Sequence, residues 1–399
     1  MIAERSPRNH ETSQTLENFL AFCRWFSAFI VILSHTRALS FVGYDALHRT
    51  WASKLLLPLY VIGAMADEAV IVFFVLSGFL VGGRAAERAL GGRFNLKDYA
   101  IDRSTRIYCV LIPALALTLV FDLLGSRWLA GSGLYDATSP ILHGRFDLPF
   151  QDALGSGTLI CNLLSAQPHR CSVYGSNIPL WSLSYEVWFY ACAGACCYAY
   201  QRRSILSLAG VLAAFSGLVL ALGWSGPVYG IFWVAGAVVY LLSRDPFRFA
   251  KRFVYAVTVV GIAGIIACSR IPILITIDGK LLAVSLFGTA SIFSVILYLW
   301  AGLRMKPSER VRAFNLALSD FSYSLYITHF PVVVFTLSAL IVLSHGAVGR
   351  GGGYQPTNWP TLAAFFVAIA IAVLVAWRFS LIFEKGSLLV RRQLKRKLD

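Results

Sequence analysis

Ten stretches of mostly apolar residues divide this 399-residue chain, at 18–39, 55–82, 107–125, 180–200, 204–224, 227–243, 253–268, 281–302, 316–343 and 360–383. Their lengths bracket the roughly 20 residues that an α-helix needs to cross a bilayer. The stretches are continuous, not alternating, which excludes an outer-membrane barrel. The expected fold is therefore all-α and integral to a membrane, with about ten transmembrane helices. A polar segment, 1–17, precedes the ten-span unit 18–384, and a basic tail, 385–399, follows it. Charged residues are only 14% of the chain, about half the share in a soluble domain. The first stretch has no small-residue cleavage site, so it is expected to stay as a span. A further apolar segment, 155–166, is too short to cross.

Lys and Arg give the expected orientation. With both termini in the cytoplasm, 24 of the 35 basic residues fall on the cytoplasmic side and nine on the other, while Arg24 and Arg378 are embedded. That asymmetry fits an N-in, C-in arrangement. The net charge of +15 then follows from topology. Its spread over short loops argues against nucleic acid as a partner. The terminal RRQLKRK is expected to be a solvated tail able to touch anionic membrane lipid.

The longest loop, 126–178, is expected on the outer side, as a lid, as part of an acceptor site, or as an ordered segment packed over helix ends. The eight cysteines form no C-x-x-C metal pattern, and no metal is expected. Cys161 and Cys171 share the long loop, where a disulfide is open in an oxidising compartment. Cys192, Cys196 and Cys197 read as small packing residues.

Polar residues inside the spans carry the functional argument. The first span holds Arg24 and His35 in NFLAFCRWFSAFIVILSHTRAL. An embedded arginine costs about 2.5–3.5 kcal/mol on insertion scales, which points to a working site facing the protein interior. Eleven positions at about 100° each place the two residues on nearly one helix face, roughly 16 Å apart along the axis. They are two stations on one path, not an ion pair. A neutral imidazole at His35 can take a proton from a hydroxyl.

Arg103 and Arg106, in DRSTRIY, are expected to open the third span with both guanidinium forks on one face. That geometry suits bidentate phosphate binding, and it also suits plain positive-inside anchoring. Glu186, in NIPLWSLSYEVWFY, is expected two turns into the fourth span, at a depth comparable to His35. Trp181 and Tyr185 in the same segment are acceptor-side candidates. Trp181, Trp188 and Tyr190 also suit an interfacial aromatic belt. Ser77, Gly78, Gly82 and Gly83 in the second span permit close helix approach. In FSYSLYITHFPV, His329 lies in mid-span, structural or substrate-binding, and Pro331 frees a backbone carbonyl.

Taken together these segments resemble the acyltransferase-3 family of integral membrane O-acyltransferases, from the first span to the ninth. Arg24 and His35 are similar to that family's Arg-x10-His signature, FFVLSGFLV to its second-span motif, and Arg103 and Arg106 to its Arg-x-x-Arg. WSLSYEVWFY and SYSLYITHFPV are similar to its two later motifs. Cys109 stands where the family often has proline, which puts the local helix start in question. The resemblance implies transfer of an acyl group, usually acetyl, from cytoplasmic acyl-coenzyme A. The acceptor is implied to be a hydroxyl of a surface glycan, a lipid-linked saccharide or a secreted metabolite. On this reading Arg24, Arg103 and Arg106 bind the donor, His35 acts as general base or forms a covalent acyl intermediate, and Glu186 orients the imidazole or stabilises its charged form. The multi-pass protein then sits in a bacterial-type inner (plasma) membrane. The alternative is a proton-coupled transporter or flippase, which also embeds Arg, His and Glu. Against it stand the absence of visible repeat symmetry and the Arg103–Arg106 pair.

Overall fold

The computed structural model describes all residues except 1–12, 48–53, 137, 143–149, 271–273, 278–279, 350–353 and 399. The chain is an all-α membrane protein, relieved by one short hairpin. Helix α1 (Gln14–Ser40) is capped by Ser13, whose hydroxyl accepts from the Leu16 N–H at 3.2 Å. A short α2 (Leu57–Ile62) precedes α3 (Ala66–Leu90), which carries a π-helical turn at Gly78–Gly83. Then come α4 (Leu96–Trp128), the small loop helix α5 (Ser156–Leu163), α6 (Leu180–Arg202), α7 (Ile205–Leu222), α8 (Ser225–Leu242) and α9 (Lys251–Cys268). Strands β1 (Leu274–Ile277) and β2 (Lys280–Ala283) form the hairpin. The chain ends with α10 (Ser285–Gly302), α11 (Glu309–Ser319), α12 (Ser322–Leu343), α13 (Trp359–Phe379) and α14 (Lys385–Leu398).

Among the described residues nine helices are long and apolar enough to cross a membrane. The expected tenth, α6, is formed with 23 residues but is less apolar, because Ser182, Ser184, Glu186 and several tyrosines interrupt it. Ser182, Tyr185, Glu186 and Tyr190 find hydrogen-bond partners inside the bundle, which is the condition for keeping such groups there.

Four expected boundaries shift. The apolar run from 55 does not continue into the second span, because the chain breaks after α2 at Gly63 and restarts at Ala66. The third span begins at Leu96, capped by Asn95, so Arg103 and Arg106 lie two to three turns inside the helix and do not open it. Cys109 leaves that helix unbroken. Residues 280–283 are strand, and 316–319 belong to the separate α11. The terminal segment is not a free tail. It is α14, held to α4 by Lys395 on Asp98 and Asp102, both at 3.0 Å, and by Arg391 on Asp102 at 3.7 Å.

Helix α12 is the axle of the bundle: 72% of its most apolar 18-residue stretch is buried, against 11% for the peripheral α9. It packs on α1, α4 and α13. The glycines of α3 serve packing. A Cβ at Gly78 lands 1.7 Å from the Trp233 carbonyl oxygen of α8, and one at Gly236 lands 1.9 Å from that of Val75. These two helices therefore touch backbone to backbone.

The starts of α1, α4 and α12 and the end of α13 meet at one face. Arg312 pairs with Glu17 there at 2.9 Å, and the Ser324 hydroxyl donates to Glu384 at 2.7 Å. At the opposite face the described part of loop 126–178 is packed down over the helix ends. Asp122 of α4 accepts from the Ser176 N–H and hydroxyl, both at 2.7 Å. Asn177 donates to Thr118 at 3.0 Å and to the Ile327 carbonyl at 2.9 Å. Cys161 and Cys171 are joined as a disulfide.

Candidate active site

A cavity of about 500 Å³ opens at the face where α1, α4 and α14 have their charged ends. Six arginines line it: Arg24 from α1, Arg84 and Arg88 from α3, Arg103 and Arg106 from α4, and Arg391 from α14. Two carboxylates share the wall, Asp102 and Glu186. Asp102 is engaged by Lys395 and Arg391.

The α4 pair is held by aromatic faces. The Arg103 guanidinium stands over the Tyr190 ring at 5.8 Å and that of Arg106 over Tyr323 at 5.7 Å, favourable contacts for a weakly hydrated cation. Their i, i+3 spacing turns both into the same space. Two groups in this wall, the Arg103 Nε and the Tyr323 hydroxyl, are buried without a hydrogen-bond partner. Buried donors normally have one, so this wall suits a ligand with several acceptor oxygens.

Glu186 belongs to a polar knot at the cavity wall. The Ser77 hydroxyl donates to it at 2.8 Å, and Tyr190 also hydrogen-bonds to it. Trp233 in turn donates its indole N–H to Ser77 at 3.1 Å. Ser77 ends the α-helical part of α3 just before the π turn, a distortion frequent at functional sites. Arg24 lies within electrostatic reach of Glu186, Arg106, Glu384 and Asp320.

His35 is not in the cavity wall. Its Nδ1 meets His329 Nε2 at 2.9 Å, the two rings lie parallel at 5.2 Å, and Phe330 closes edge-on at 5.2 Å. His329 is 1% exposed, and its Nδ1 faces the carbonyl oxygens of Leu325 at 3.0 Å and Tyr326 at 2.9 Å. Tyr326 joins the two centres: it lines the cavity, shares a 2.6 Å hydrogen bond with Ser182, and lends its carbonyl to His329.

Of the residues singled out in the sequence, Arg24, Arg103, Arg106 and Glu186 come together in one cavity. The expectation that Glu186 orients the His35 imidazole is not met. Glu186 on α6 turns toward Ser77 of α3, whereas His35 on α1 faces α12, so His329 holds the place assigned to the carboxylate. Trp181 is half-buried and packs edge-on against Tyr185 and Tyr229, both at 5.7 Å. Tyr185 is only 3% exposed and shares a 2.9 Å hydrogen bond with Ser225. Its ring is core, not an open acceptor surface. Sequence reasoning missed Tyr323, Tyr326 and Ser182 as wall residues. The i, i+3 spacing of Tyr323 and Tyr326, continuing to His329, was the available signal. It also missed Arg391, hidden in a run of basic residues. No group of three His, Cys, Asp or Glu among the described residues is arranged to hold a metal ion.

A family model described as an acyltransferase domain matches residues 17–378, nearly the whole chain. No curated protein and no solved structure matches it. The matched segment contains His35, His329 and five of the six cavity arginines; Arg391 lies beyond its end.

Proposed function

The chain belongs to the acyltransferase-3 family and is a membrane O-acyltransferase, and on that premise we propose that its donor is acyl-coenzyme A, with acetyl as the acyl group. The observation that carries this reading is the six-arginine cavity with its unpartnered Arg103 Nε and Tyr323 hydroxyl. Nucleotide phosphates match guanidinium forks in charge and geometry. Arg103 and Arg106 take the phosphates, with Arg391 at the rim and Arg24 deeper along the path. The pantetheine arm runs past Tyr326 toward His35.

The acceptor is a hydroxyl of a surface glycan, a lipid-linked saccharide or a secreted metabolite. It approaches from the face opposite the cavity mouth. His35 takes the hydroxyl proton as the oxygen attacks the thioester carbonyl. The carbon–sulfur bond then breaks, and the departing coenzyme A sulfur receives that proton. The products are the acyl ester and free coenzyme A. Glu186 acts on the arginine side, as counter-charge within the donor cavity. Both termini and the cavity mouth lie in the cytoplasm of a bacterial-type inner membrane, a reading supported by the excess of Lys and Arg on that side.

The test uses purified protein with labelled acetyl-coenzyme A. Saturable binding that unlabelled coenzyme A displaces, and that Arg103→Ala with Arg106→Ala abolishes, is the expected result. Absence of coenzyme A binding by folded protein overturns the donor assignment.

A further inference from the structure

We propose that His329 is a positioning residue that fixes the tautomer of His35, leaving His35 Nε2 bare to accept a proton. This rests on the reading of His35 as the base. Two backbone carbonyls set the protonation of His329. His329 Nδ1 lies 3.0 Å from the Leu325 oxygen and 2.9 Å from the Tyr326 oxygen. A carbonyl oxygen can only accept, so Nδ1 of His329 must carry hydrogen. In the neutral ring the other nitrogen, Nε2, is then a bare acceptor.

That acceptor sits 2.9 Å from His35 Nδ1. Two bare nitrogens do not bond, so His35 Nδ1 carries the hydrogen and gives it to His329. The neutral His35 ring thereby has its lone pair on Nε2, the nitrogen facing away from His329. The order is carbonyls, His329, His35, acceptor hydroxyl, each member setting the next. It does the work that a carboxylate does in hydrolase triads, with backbone oxygens as the fixed end. No carboxylate touches either ring among the described residues.

Local helix geometry supports the cradle. Leu325 and Tyr326 lie four and three residues before His329 on α12, the spacing at which a side chain can reach back to the preceding turn. Parallel rings and the edge of Phe330 restrict the His35 plane. The pair is thus held in orientation as well as in protonation.

The experiment reads the tautomer directly and needs no substrate. Protein with ¹⁵N-histidine in lipid nanodiscs is examined by NMR, with the His35 signal assigned by its loss in His35→Gln. The expected spectrum has hydrogen on Nδ1 and a bare Nε2 at His35. His329→Leu removes the acceptor and is expected to release His35 to the other tautomer. It should also lower kcat by about 10²- to 10⁴-fold, the usual worth of a positioned general base, while KM for acetyl-coenzyme A stays put. His329→Gln keeps an acceptor oxygen facing His35 and is expected to restore the wild-type tautomer and much of kcat.

Hydrogen on His35 Nε2 in the wild type, a doubly protonated His329, or a His35 spectrum unchanged in His329→Leu overturns the proposal. If the tautomer is as stated but no coenzyme A binds, the donor reading falls and this assignment stands.

Discussion

Asn177 gives its side-chain amide to the carbonyl of Ile327 at 2.9 Å, the oxygen that Pro331 leaves without a helical donor. Proline has no N–H for the residue four positions back, and a freed carbonyl inside a membrane protein needs another partner. The partner comes from the far end of the 126–178 loop, next to Ser176, which is itself tied to Asp122. The outer loop is therefore stitched to the helix that carries His329, two residues from the stitch.

Removing that donor strips a buried acceptor. Asn177→Leu is expected to cost about 1–3 kcal/mol. Thermal unfolding in detergent should show it as a lowered midpoint, with coenzyme A binding retained because the cavity lies at the other face. An unchanged midpoint means that Ile327 needs no partner.

The cavity arginines should act on donor affinity. Arg103→Ala and Arg106→Ala are each expected to raise KM for acyl-coenzyme A by about 10- to 100-fold, the range of a charge-assisted contact. Arg391→Ala, at the rim, should give a smaller rise. Salt should weaken donor binding in the wild type more than in Arg391→Ala. Equal salt dependence in both proteins removes Arg391 from the site.

Glu186 and His35 should fail in different ways. His35→Ala is expected to abolish turnover by about 10²-fold or more while donor binding survives. Glu186→Gln keeps partners for Ser77 and Tyr190 but removes the negative charge beside Arg24 and Arg106. Its effect should fall on the donor KM, not on kcat. A kcat loss matching His35→Ala, at constant KM, would restore the carboxylate to the base.

Sidedness is open to a labelling test. In a background without its free cysteines, Lys397→Cys in sealed inside-out vesicles should react with a membrane-impermeant maleimide. In right-side-out vesicles it should be protected. The reverse pattern inverts the assignment of cavity mouth and acceptor face.

Much of this was legible in the sequence because apolar length and embedded charge are one-dimensional signals. Nearly all the spans and the grouping of Arg24 with Arg103 and Arg106 could be read that way, whereas the placing of Glu186 among those arginines could not. What escaped depends on rotation about helix axes and on neighbours. Counting along the spans put Glu186 and His35 at comparable depth and suggested contact, but α6 turns its carboxylate to Ser77 while α1 turns its imidazole to His329. The run from 55 is apolar enough to cross yet is cut at Gly63, where Ser34 donates its hydroxyl to the Gly63 carbonyl at 2.7 Å. The tail reads as solvated by charge density alone. Its pairing with Asp98 and Asp102 depends on acidic residues some 300 positions away.

Tyr326 divides its duties between side chain and backbone. Its ring and hydroxyl form cavity wall, whereas what it lends to His329 is the main-chain oxygen. That oxygen is present whatever amino acid occupies the position. On the proposed reading, residue 326 is thus a place where evolution, or an engineer, can recut the passage for a bulkier acyl chain without retuning the proton acceptor behind it.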